Sequence, residues 1–158
     1  MSESENFSNQ PFFFFVTLGD KLPAAFFQLD IHLKKHGIIL VPIAIDQLQV
    51  MLSSGAQDHY IAITSVSTFS EFKIYNEKVR HLLKFVLRKP NLSFFTMSSF
   101  QKVNDTNKFR NTNNFFFLKF PLNSEVLSEK LVRFMEQKSE KIARWPGGKR
   151  AGVKHLNV

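Results

Sequence analysis

Short apolar runs alternate with amphipathic or polar stretches along the chain. The first run, Phe12–Leu18 (FFFFVTL), is aromatic to β-branched and stops at Gly19-Asp20. A short continuous run of this kind fits a strand buried on both faces. Leu22, Phe26, Leu29 and Leu33 follow at helical spacing, with Pro23 suited to a first turn and Gly37 to the position just past the end. Residues 38–45 (IILVPIAI) form a second strand pattern, and Pro42 places its far end at an edge or in an irregular stretch. Residues 46–55 read as a short helix, with Asp46 as N-cap and Gly55 as terminator.

HYIAITSVS (59–67) is the third strand, and 68–89 is the longest helical pattern. In that pattern Phe72, Tyr75, Val79, Leu82, Leu83 and Val86 fall on one stripe, and Pro90 ends it. LSFFTMSSF (92–100) and FFFLKF (115–120) give the fourth and fifth strands. The Asn-rich 101–114 stretch between them predicts a weak helix or a loop. Leu127, Leu131, Phe134 and Met135 mark a last helix. Strands that alternate with helices predict a three-layer, doubly wound α/β domain with a parallel five-stranded sheet. The expected order is flavodoxin-like, 2-1-3-4-5. The expected division is a disordered leader over 1–10, a domain over 11–139 and a basic tail over 140–158.

Composition narrows the chemistry. A chain of 158 residues with 44% hydrophobic content predicts one domain with a proper core, and 19 Phe supply much of its burial area. The absence of Cys excludes disulfides, thiolate metal sites and a Cys nucleophile. The polar, acidic start MSESENFSNQ lacks the pattern of a signal peptide, and no apolar run approaches the ~20 residues that span a bilayer. A cytoplasmic protein with no membrane association is the expectation. Net charge is +8, of which Lys141, Arg144, Lys149, Arg150 and Lys154 supply +5 with no acid among them. With Trp145 for stacking, that tail has the chemistry to grip phosphate, as in RNA or a cyclic dinucleotide. A basic segment that only aids solubility is the plainer account.

Catalytic patterns are missing. The chain has no Gly-x-Gly-x-x-Gly, no Walker lysine loop and no Gly-x-Ser-x-Gly elbow. His32 and His36 stand four apart on a helix, but a solvated face explains them better than a metal site. No catalytic residue, metal or cofactor is expected, and the protein is read as a non-enzyme.

The stretch FFFLKFPLNSEVLSEKLVRF resembles the fifth strand and last helix of response-regulator receiver domains. In that family a strand ends in Lys, a Pro follows, and a helix packs back on the sheet. Lys119, Pro121 and EVLSEKLVRF are the counterparts, with the Pro displaced by one position. Thr96, at the end of LSFFTM, matches the hydroxyl residue that contacts the phosphoryl group. The layout is similar over about residues 11–138. Receivers need an Asp at the end of the third strand as phosphate acceptor, and Thr64 or Ser65 falls there. They also need an acidic pair after the first strand to hold Mg²⁺, and only Asp20 is available, slightly late. The resemblance therefore implies a degenerate pocket of Asp20, Thr64, Ser65, Thr96 and Lys119. It implies a pseudo-receiver of bacterial signalling that works by protein–protein interaction without phosphorylation on Asp. By the same resemblance, the partner surface would include 101–114, Phe117 and part of 124–138, a face that also offers a homodimer contact. The alternative is an anion or nucleotide binder that uses the tail, with Lys119 lining the site.

Overall fold

The computed structural model describes residues 10–53, 59–79, 92–98, 115–119, 123–137 and 142. The expectations for the leader 1–9, for 101–114 and for the tail apart from Ile142 lie outside these described residues.

The chain is α/β with a parallel sheet. Its strands are β1 (Phe12–Thr17), β2 (Ile39–Ala44), β3 (Tyr60–Val66) and β4 (Leu92–Ser98), in the order β2-β1-β3-β4. Phe12 to Thr17 pair with Ile39 to Ala44, and Tyr60 to Val66 pair with Leu92 to Ser98. The central seam is shorter, with Phe14 to Val16 against Ala62 to Thr64. Every residue of β3 and β4 is buried, as expected of strands covered on both faces.

Alternation along the strands divides the core in two. Phe12, Phe14, Val16, Ala62 and Phe94 face one way and meet Ile45 and Leu48 of α2 (Ile45–Ser53) and Tyr75. Phe13, Phe15, Ile61, Ile63 and Phe95 face the other way. They meet Phe26, Leu29 and Leu33 of α1 (Ala24–Lys34) and Leu127 and Leu131 of α4 (Ser124–Gln137). Helices thus cover both faces. Phe116 stacks on Phe95 at 4.6 Å between ring centroids, and Phe134 of α4 meets both rings edge-on.

Local sequence explains most of the boundaries. Pro23, extended at φ −73° and ψ 161°, opens α1 without a side-chain cap. At its other end Gly37 takes φ +73°, a left-handed conformation that glycine adopts without a Cβ penalty. The Ile38 N–H donates to the Leu33 carbonyl at 3.1 Å and the Gly37 N–H to the Lys34 carbonyl at 3.0 Å. Leu33 and Ile38 are both fully buried, so apolar packing accompanies this Schellman-type stop. Pro42 lies in β2, at an edge of the sheet, where a missing N–H is tolerated.

The start of α2 differs from the sequence expectation. The helix begins at Ile45, so Asp46 sits in its first turn and is not the N-cap. Gln47 folds back, and its Oε1 accepts from the Ala44 N–H at 3.3 Å. Asp46 instead pairs with Lys78 at 3.1 Å on the surface. The next helix, α3 (Phe69–Ile74), widens into a π-turn over Tyr75–Val79. The expected continuation of this helix to residue 89 lies outside the described residues. Beyond α4, Ile142 forms a parallel bridge to His59 and is buried with the α1/α4 side of the core. Among the described residues, no helix is long and apolar enough to cross a membrane.

Candidate functional site at the carboxyl ends of the strands

Ligands of open α/β sheets gather beyond the carboxyl ends of the strands, and the sequence reading expects its nominated residues there. Thr64 and Thr96 are register partners on neighbouring strands and point to the same face. Neither reaches the mouth. Each lies two residues short of its strand end, with Val66 and Ser98 forming the outermost paired row. Thr64 is 0% exposed, and its hydroxyl donates to the Val16 carbonyl at 2.8 Å. The Thr96 hydroxyl lies 3.3 Å from the Tyr75 hydroxyl, and both are buried. One row further out, the Ser98 hydroxyl donates to the Val66 carbonyl at 2.9 Å. Ser65 is adjacent to Thr64 in β3 and so points to the opposite face, where it too is buried.

Thr64, Thr96 and Ser98 satisfy their hydroxyls within the fold, as buried polar groups must. The hydroxyls of Thr64 and Ser98 are turned onto backbone carbonyls of neighbouring strands. The geometry gives a polar seam between strands, and its chemistry is that of cohesion.

Among the described residues, carboxylates near the mouth are few and differently engaged. Asp20 is exposed in the bend after β1 and makes no hydrogen bond or ion pair among the described residues. Asp46 is committed to Lys78. Glu71 lies nearest the end of β3, and sequence reasoning missed its role. Its Oε1 accepts from the Ser67 N–H at 2.9 Å, the Ser67 hydroxyl at 3.1 Å and the Thr68 N–H at 3.0 Å. The Glu71 N–H in turn donates to the Thr68 hydroxyl at 3.1 Å. This is a capping box, and the readable signal was Thr68-x-x-Glu71 after an apolar strand. Among the described residues, no group of three His, Asp or Glu gathers to hold a metal ion.

The backbone of Lys119 ends the described segment Phe115–Lys119, while its side chain and that of Phe117 lie outside the described residues. Lys141, Arg144, Trp145, Lys149, Arg150 and Lys154 also lie outside them. Ile142 nevertheless fixes where that basic segment starts. It pairs with His59 at the amino end of β3, seven residues from Val66. At ~3.3 Å per residue His59 and Val66 are about 23 Å apart. The root of the tail and the strand mouths are therefore at opposite ends of the sheet. A second feature missed from sequence lies at the amino end: buried His59, whose Nε2 is 2.7 Å from the Ser93 hydroxyl.

No protein-family model matches the chain, and no curated protein matches it either.

Proposed function

We propose that the chain is a degenerate receiver-like domain that works as a non-catalytic protein-interaction module in signalling. In this reading Phe115–Lys119 is the fifth strand, β5, and completes a flavodoxin-like sheet in the order 2-1-3-4-5. The parallel register of Phe94 to Ser98 with Phe115 to Lys119 supports that order, as does the stacking of Phe116 on Phe95. The same register sets Lys119 opposite Ser98, and Ser98 opposite Val66. On the row of the lysine, the third strand thus carries a fully buried valine.

The observation that carries the reading is the Thr64 hydroxyl, buried and already donating to the Val16 carbonyl. A neutral alcohol in that setting lacks the charge of a carboxylate acceptor and has no general base beside it among the described residues. The test is an amide-resolved titration of the full chain with Mg²⁺ and beryllofluoride, a phosphoryl mimic. The expected result is an unchanged spectrum at residues 64–66 and 96–98. Magnesium-dependent shifts at those positions would remove the reading. Capture of partners with the intact chain would then identify what the module engages, and sedimentation would report whether copies pair.

A second reading, anion binding by the basic tail, gains from one observation. Ile142 anchors the root of that tail in the sheet, so Lys141 and Arg144 flank a fixed point. RNA or a cyclic dinucleotide would bind there and not at Lys119. Such binding would weaken steeply with salt and be lost in a chain that ends at Ala143.

A further inference from the structure

The helix α1 has two apolar sides. Phe26, Leu29 and Leu33 are buried against the sheet. Ala24, Phe27, Ile31 and Lys35 recur at spacings of three, four and four on the other side, and all four are exposed. Phe27 and Ile31 are 54% and 58% exposed, so the stripe has an apolar centre in water. The Phe27 ring packs edge-on to Phe26 at 5.2 Å, which holds it in one place at the surface.

The ends of the stripe carry opposite charges. Asp20 lies in the exposed bend before Pro23, and Lys35 closes the helix with helical φ −63° and ψ −24°. Lys34 beside it already pairs with Asp30 at 3.1 Å. Asp20 and Lys35 have no ion-pair partner among the described residues.

This pattern is complementary to its own reverse. Two copies of α1 laid antiparallel, centred between Phe27 and Gln28, put Phe27 next to its counterpart, Ile31 over Ala24, and Lys35 at the bend that carries Asp20. A large side chain then faces a small one, and each charge faces its opposite. An acidic segment or an anionic lipid surface would answer Lys35 but repel Asp20, whereas a second copy answers both.

We propose that the outer face of α1 is a two-fold contact between copies of this chain, with Phe27 at the axis. The 11-residue helix is about 16 Å long, too short to bury the ~1,600 Å² of a standard interface, so the dimer is a weak, concentration-dependent one. Lys21 adjoins Asp20, so the charge contact sets the register while the apolar centre supplies the attraction. The pairing is independent of the receiver reading, which offers a different face around 101–114 and α4.

Sedimentation velocity of the full chain over rising protein concentration tests this. The natural chain is expected to shift from monomer toward dimer, and Ile31→Glu to stay monomeric throughout. Both Ile31 and Lys35 are exposed, so far-UV circular dichroism should show every variant folded. Lys35→Glu and Asp20→Lys should each weaken the dimer several-fold, and the two together should restore it. A natural chain that stays monomeric, or a dimer that Ile31→Glu leaves intact, would overturn the proposal. So would a double charge reversal no better than the single ones, since the antiparallel register would then be wrong. Binding to vesicles of anionic lipid that Ile31→Glu abolishes, without self-association, would make a membrane the occupant and overturn it as well.

Discussion

Thr64 shows how one side chain limits the chemistry of a site. Its hydroxyl is fully buried and donates across the β1–β3 seam to Val16. Thr64→Val keeps the shape and removes the donor, so the expected loss is about 1 kcal/mol of unfolding free energy. Thr64→Asp asks the same position to hold the carboxylate a receiver would use. The position is 0% exposed and cut off from bulk solvent, so the charged form is penalised by several kcal/mol. Burial would raise the pKa of the new carboxyl in the folded state above its unfolded value. The folded state then binds the extra proton, so stability is regained as pH falls and lost as pH rises through the folded pKa. Urea unfolding of Thr64→Asp at pH 7 and at pH 4 checks this, with the smaller deficit relative to the natural chain expected at pH 4. A Thr64→Asp variant that is as stable as the natural chain and binds Mg²⁺ would instead mean that the mouth is an intact phosphoryl pocket lacking one group.

At the level of the elements, the entry to α3 is stabilised by a reciprocal pair of hydrogen bonds between Thr68 and Glu71. Thr68→Ala should cost about 1 kcal/mol, and Glu71→Ala a comparable amount because three donors at Ser67 and Thr68 lose one acceptor. Thermal unfolding of the two single variants and of the double variant tests the coupling. The double should cost less than the sum if the box acts as a unit. Strands and helices of this chain were legible because burial on both faces leaves unbroken apolar runs, as in Phe12–Leu18, and because Pro23, Gly37 and Pro42 mark boundaries by their backbone limits. Less was legible wherever a polar atom had two acceptable uses. Asp46 has the chemistry of an N-cap and of an ion-pair partner, and the position of Lys78, 32 residues away, decided between them. Thr64 and Thr96 fit a strand and fit a pocket equally well by residue type. Only the register shows that they stop two residues short of the mouth. The π-turn at Tyr75 left no mark in the sequence, because the apolar stripe reads alike for α and π winding over so few residues.

For the molecule as a whole, the placement of Ile142 decides which parts of the chain act together. The β1–β3 seam is registered over three pairs while its neighbours have six and seven, leaving two residues of β3 beyond it at either end. Ile142 lies at the amino end, bridged to His59 and 5% exposed against the α1/α4 core. A chain cut after Glu140 therefore loses a core residue along with its basic charge. It should be destabilised by about 2 kcal/mol, the scale of burying one isoleucine. A chain cut after Ala143 keeps that residue and should unfold at the same denaturant concentration as the full protein. Comparison of the two separates the fold from any anion binding, since both lack Arg144, Trp145, Lys149, Arg150 and Lys154. Equal stability of the two truncations would mean that the bridge to His59 contributes nothing. The tail would then have no fixed root, and its separation from the strand mouths would no longer follow. If only the shorter chain is weakened, the amino end of the sheet holds the basic segment. In that case the carboxyl end, with its inward-turned hydroxyls, works independently of it.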